Sequence, residues 1–120
     1  MSLPHPSIDQ ISLPHLLSVL GDPTRLAVVG YLARHEGEPL ACWQFQDLGS
    51  KTNMSYHLAK LREAGVTHTE ISGTSRLITL RRKELDARFP GLLDSIIAAA
   101  GELPLLAKLE EAGAAPKMAG

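Results

Sequence analysis

Apolar and polar positions alternate along this chain in several distinct rhythms, and each rhythm predicts an element. Ile11, Leu16, Leu17, Val19 and Leu20 suggest a first helix running from about Ile8, interrupted or started by Pro14 and closed by Gly21. Asp22-Pro23 is a strong start signal for a second helix, because the Asp carboxylate caps free amides while Pro at the first helical position forfeits no needed hydrogen bond. That helix runs to about His35, with Leu26, Val28, Val29, Leu32 and Ala33 on its buried side, and Gly37 and Pro39 end it. Leu40 to Leu48 reads as a third, shorter helix carrying Cys42, Trp43, Phe45 and Leu48. Gly49-Ser50 turns the chain into a fourth, from Ser50 to Ala64.

The rhythm then changes. Val66 to Ile71 and Arg76 to Leu80 are rich in β-branched and apolar residues and flank Ser72-Gly73-Thr74-Ser75, which predicts a β-hairpin with a polar tip. Pro90 begins the last clear helix, where Leu92, Leu93, Ile96 and Ile97 stand among Ala98, Ala99 and Ala100. So apolar a helix has no obvious cover within the chain and suits pairing with a second subunit. Leu105 to Leu109 adds a further turn or two. Residues 1–7 are expected to form a flexible arm, 8–112 a single domain, and 113–120 a flexible tail.

The fourth helix has two unlike faces. Met54, Leu58 and Leu61 fall at i, i+4 and i+7 and make one apolar stripe, whereas Thr52, Ser55, Tyr56, Ala59 and Lys60 lie mostly on the other side. Ser50 is placed to cap its first turn, and Gly65 to take the left-handed position that ends it. A capped helix with exposed hydroxyls, amides and cations near its N-terminus suits the major groove of duplex DNA, where such groups read base edges and neutralise phosphate. Two helices joined by a short turn and followed by a hairpin predict a winged helix-turn-helix, mainly α with a β-hairpin wing.

Charge supports this placement. The whole chain carries −1, but from Ala41 to Arg82 six cations face three acids, a net +3, and the rest carries −4. Lys51, Thr52, Ser55 and Tyr56 are the candidates for base readout and Lys60 and Arg76 for phosphate or minor-groove contact, with Asn53, Thr74 and Ser75 as further DNA-binding candidates. Arg81 and Arg82 lie at the far end of the hairpin, where a salt-bridge role is as well motivated. His57 is expected at the edge of the core, satisfied by a backbone carbonyl.

One cysteine, Cys42, permits no intrachain disulfide, fits a reducing compartment and reads as a small buried hydrophobe. No signal-like segment opens the chain, and no apolar run approaches the ~20 residues that span a bilayer. A cytoplasmic protein without membrane contact is expected. His5, His15, His35 and His68 share no helical face, so a zinc site would have to be assembled across elements. Nothing pairs a nucleophile with a base, and no enzyme or cofactor is expected.

Leu20-Gly21-Asp22-Pro23-Thr24-Arg25-Leu26, then Met54 to Val66, then a wing ending in an apolar strand, resemble the ArsR family of dimeric winged-helix repressors over about Leu16 to Ile97. The resemblance implies a homodimer joined through its first and last helices, with Leu16, Leu17, Leu93, Ile96, Ile97 and Ala100 as candidate contacts. It also implies that Ser50 to Ala64 enters the major groove of a double-stranded operator, and that Asp22, Pro23 and Arg25 belong to the scaffold. Metal-sensing members carry a Cys-x-Cys element at the third helix, or Asp and His ligands on the last. Here the first region reads Leu40-Ala41-Cys42-Trp43-Gln44, and 90–111 holds no His. The expectation is therefore a repressor without a metal effector, leaving room for an unknown small-molecule inducer. Two rivals keep the fold: a metal- or thiol-responsive repressor using Cys42 and other histidines, and a winged-helix protein-interaction module that does not bind DNA.

Overall fold

The computed structural model describes residues 3–36, 38, 40–41, 44–45 and 50–114, the side chains of 51 and 112–114 excepted. After a single 3-10 turn at Ile8–Gln10 comes helix α1 (Leu13–Leu20), whose N-cap Ser12 accepts from the His15 amide and whose Pro14 sits harmlessly in the first turn. Helix α2 (Pro23–Arg34) begins where Asp22 Oδ1 accepts from the amides of Thr24 at 2.8 Å and Arg25 at 3.1 Å. It is the central post of the fold. Ala27, Val28, Val29, Tyr31 and Leu32 are all buried, and helices from both ends of the chain pack around them.

A short strand β1 (Leu40–Ala41) follows, where the sequence pattern predicts the start of a helix. Leu40 pairs with Ile78 and Ala41 with Leu77, so this segment is the third strand of the wing sheet. Two apolar residues carry no periodicity, and only a distant partner decides their conformation. Gln44 and Phe45 lie in a 3-10 turn, with Phe45 fully buried edge-on to Tyr31; the remaining residues of the predicted third helix, Cys42 and Trp43 among them, lie outside the described residues.

Helix α3 (Lys51–Glu63) leads into strands β2 (Thr67–Ser72) and β3 (Ser75–Leu80), which close on the Ser72–Ser75 pair around a two-residue turn. The sheet is antiparallel throughout, in the order β1-β3-β2. This is a winged helix-turn-helix: mostly helical, with the β2–β3 hairpin following the helix that carries the polar face and β1 completing a three-stranded sheet from before it.

Three further helices complete the chain. Helix α4 (Arg82–Arg88) has no counterpart in the sequence pattern, and helices α5 (Leu92–Ala100) and α6 (Pro104–Ala114) pack on α2. At Gly30 a Cβ would stand 2.8 Å from a Leu106 methyl, so α6 approaches α2 closely because that position has no side chain. The expectation that the apolar helix after Pro90 lacks intrachain cover is thereby corrected, since Leu93 and Ala100 are buried inside this chain, as is Leu16 on α1. The further turn or two expected over Leu105 to Leu109 is a helix of 11 residues, Pro104–Ala114, that includes Gly113 and Ala114 of the expected tail.

The N-terminal arm also departs from expectation. Leu3, His5 and Pro6 are partly buried, the Pro6 carbonyl accepts from Arg81 at 2.8 Å, and His5 Nε2 accepts from the Thr69 amide at 3.0 Å. The arm is docked along β2, an outer strand whose free amides need a partner. Among the described residues no single helix is long and apolar enough to cross a membrane.

Candidate nucleic-acid interface

The polar face of α3 exists because its opposite face is held firmly. Met54, Leu58 and Leu61 are buried, with Leu61 at 0% exposure, which leaves Thr52, Asn53, Ser55 and Tyr56 in solvent. Both helix ends are defined by hydrogen bonds. Ser50 Oγ accepts from the Asn53 amide at 3.1 Å, and at the other end the Gly65 and Val66 amides donate to the carbonyls of Arg62 and Leu61. This Schellman closure needs a left-handed residue, and Gly65 has φ +88°. Any Cβ there would also stand 2.5 Å from Ile11, so the residue that ends the 3-10 turn before α1 wedges against the end of α3.

A further brace comes from Arg25. Its Nε donates to the Val19 carbonyl at 2.7 Å, and Nη1 lies 3.3 Å from Nδ1 of the buried His57. A guanidinium can only donate, so Nδ1 must be the acceptor and the His57 proton resides on Nε2. One side chain thus ties α1, α2 and α3 together. The predicted partner of His57, a backbone carbonyl, is replaced by this cation from another helix.

Tyr56 is 55% exposed, among the most exposed large side chains on the surface. The Lys60 ammonium sits 5.3 Å from its ring centroid, so the two form one amphipathic unit one turn apart on the outer face. Lys51 is the first residue of the helix, but its side chain lies outside the described residues. Thr74, Ser75 and Arg76 are all exposed at the wing tip, as an element reaching toward nucleic acid requires. The helix face and the wing tip carry no ion pair or side-chain hydrogen bond to another element among the described residues.

The base of the wing is different. Arg81 is buried and its guanidinium grips the Glu84 carboxylate through two bonds of 2.8 and 2.7 Å, holding that carboxyl below its ordinary value chiefly through these bonds. Arg82 meets Glu36, Asp86 and Asp94. Two of the six cations in the basic segment are therefore neutralised locally.

The residues read as subunit contacts divide in the same way. Leu16, Leu93 and Ala100 are buried, Ile96 and Ile97 are partly buried against the core, and Leu17 is 47% exposed. Leu13, one turn before Leu17 and also exposed, extends that apolar stripe and was not singled out by the sequence pattern because it precedes Pro14.

Residues 20–70 match a family model described as a helix-turn-helix domain. The span includes α2, β1, α3 and most of β2. The chain is also 33% identical over 92 residues to YceK of Bacillus subtilis (strain 168), an uncharacterised HTH-type transcriptional regulator, across 75% of this chain and 90% of that protein. Identity at this level across nearly the whole of a relative, with the motif on the helix whose polar face is outward, places this chain among the HTH-type transcriptional regulators.

Proposed function

We propose that the protein is a homodimeric repressor of the ArsR type that binds a two-fold symmetric operator in double-stranded DNA and acts without a metal effector. The observation that carries this reading is the outward face of α3, where Thr52, Asn53, Ser55 and Tyr56 are exposed on a helix fixed from behind by a buried stripe and by Arg25. Hydroxyl and amide groups there suit base edges, with Lys60 and Arg76 offering charge to the backbone. Lys51 joins the readout set by its place at the helix start.

The dimer would use what the core leaves uncovered. Leu13 and Leu17 form an exposed i, i+4 pair on α1, and Ile96 and Ile97 on α5 are covered only in part. A second copy supplying the same surface would bury this stripe and present two copies of α3 to adjacent half-sites. A small apolar cleft lined by Leu16, Leu20, Leu85, Phe89, Leu92, Leu93 and Ile96 lies between α1, α4 and α5, and an inducer of apolar character acting there would have to widen it. Among the described residues no three His, Cys, Asp or Glu side chains gather as a metal-ligand set.

The test is a fluorescence titration of a labelled promoter duplex at several salt concentrations, with sedimentation of wild type and Ile97→Asp. Tight, salt-dependent binding by a dimer is expected, with dimer and operator affinity both lost in the variant because a charge replaces an apolar contact. Zinc, nickel, cadmium or chelator should leave the affinity unchanged. A tenfold metal-dependent loss, about 1.4 kcal/mol of coupling, would overturn the metal-free reading; no duplex binding at low salt would favour a protein-interaction module.

A further inference from the structure

We propose that residues 3–7 form a proton-released strap, closed over the outer edge of the wing sheet by a neutral His5 and opened when that imidazole takes up a proton. The geometry is specific. His5 Nε2 accepts from the Thr69 backbone N–H at 3.0 Å, an edge-strand donor that β3 does not satisfy. A ring nitrogen accepts only while it is unprotonated, so protonation turns an acceptor facing a donor into a donor facing a donor.

Most of the surroundings act in the same direction, and the one opposing influence, a hydrogen bond to the Leu3 backbone, is outweighed. The His5 ring stacks on that of His68 in β2, with centroids 4.3 Å apart and planes 10° from parallel. From α3 comes the Arg62 guanidinium, and from the start of α4 Arg81, which also holds the Pro6 carbonyl at 2.8 Å. Glu84, the one acid in this group, is bound by Arg81 and faces His68. A charge on His5 would thus be added among cations, and burial with the neighbouring His68 holds the group below its ordinary value of 6.5. Because the folded state disfavours the proton, the strap is fully closed above pH 6.5 and is lost as pH falls through the depressed His5 midpoint. Arg81 has a second partner in Glu84 and stays in place when the arm leaves. The device does not depend on what α3 binds.

The experiment follows the His5 and His68 ring signals and the Thr69 amide by NMR on the full chain, from pH 8 to about 5, where Glu84 stays ionised. His5 should titrate below 6.5, and the Thr69 amide should move upfield with the same midpoint and lose at least tenfold of its exchange protection, while core amides such as Ile78 keep theirs. His68→Phe, which keeps a stacked ring and removes the charge, should raise the His5 midpoint. In His5→Ala the Thr69 amide should be unprotected at every pH, with no transition; His5→Gln, a pH-insensitive acceptor, should likewise show no transition. A His5 midpoint at or above 6.5, a Thr69 signal that does not follow His5, or a transition that survives in either His5 variant would overturn the proposal.

Discussion

The two ends of the wing hairpin carry the same kind of side chain and use it in opposite ways. At the tip, Arg76 is exposed beside Thr74 and Ser75. At the base, Arg81 is buried between Glu84 and the Pro6 carbonyl, and Arg82 is ringed by Glu36, Asp86 and Asp94. A cation already matched by carboxylates releases few counterions on meeting phosphate, whereas a solvated one keeps its charge for a partner. Counting arginines along a sequence treats them alike; their neighbours separate a structural set from the solvated set that the proposed interface would use.

Arg81→Ala gives the largest expected break in this comparison. It removes three hydrogen bonds and leaves the Pro6 carbonyl and Glu84 without their donor, so stability measured by urea unfolding should fall by about 2 kcal/mol. Half the Glu84 side chain is in water, which limits the loss. Duplex affinity per folded molecule should be little changed. Loss of affinity without loss of stability would move Arg81 to the interface set.

Helix α3, if it reads base edges as proposed, should show the converse. Thr52→Ala and Tyr56→Phe are expected to alter preference among operator variants by roughly 1 to 3 kcal/mol, measured by competition with mismatched duplexes, while unfolding midpoints stay put. Equal losses on all duplexes would mean that these hydroxyls touch backbone only.

Smallest in energy, and sharpest as a contrast, is the salt slope. Arg76→Ala and Lys60→Ala should each lower the slope of log affinity against log salt by about one unit, and Arg82→Ala should leave it unchanged. Arg82→Ala should instead cost up to about 1 kcal/mol of stability, as expected for a part-exposed ion-pair network. A reduced slope in Arg82→Ala would erase the distinction between the two ends.

What the sequence pattern discloses follows how local its causes are. Helices α2 and α3 are legible because their caps, Asp22-Pro23 and Ser50 with Gly65, lie within a few residues of the turns they satisfy. The outward face of α3 is legible for the same reason, since a 3.6-residue period sorts Met54, Leu58 and Leu61 from their neighbours. Strand β1 is not, because two residues acquire their conformation from Leu77 and Ile78 far along the chain. Nor is α4, where Leu85 is the only buried residue among charged ones and no period can form. The neutralisation of Arg82 depends on Glu36 and Asp94 from other elements, and the docking of the arm on a bond between positions 64 apart. Leu13 and Leu17 became visible as an uncovered pair only once the core had claimed Leu16 and Leu20.

The wedge of Ile11 against Gly65 packs the segment before α1 directly against the end of α3. If two chains join through α1, the pitch between their reading helices is set as rigidly as the gap between the jaws of a fixed caliper. An operator with one base pair added between its half-sites would then fit poorly, because this wedge couples the α1 side of the pair to the helix in the groove. Exchanging Ile11 for a smaller side chain would loosen that coupling, and a protein so altered would tolerate spacings that the native one refuses.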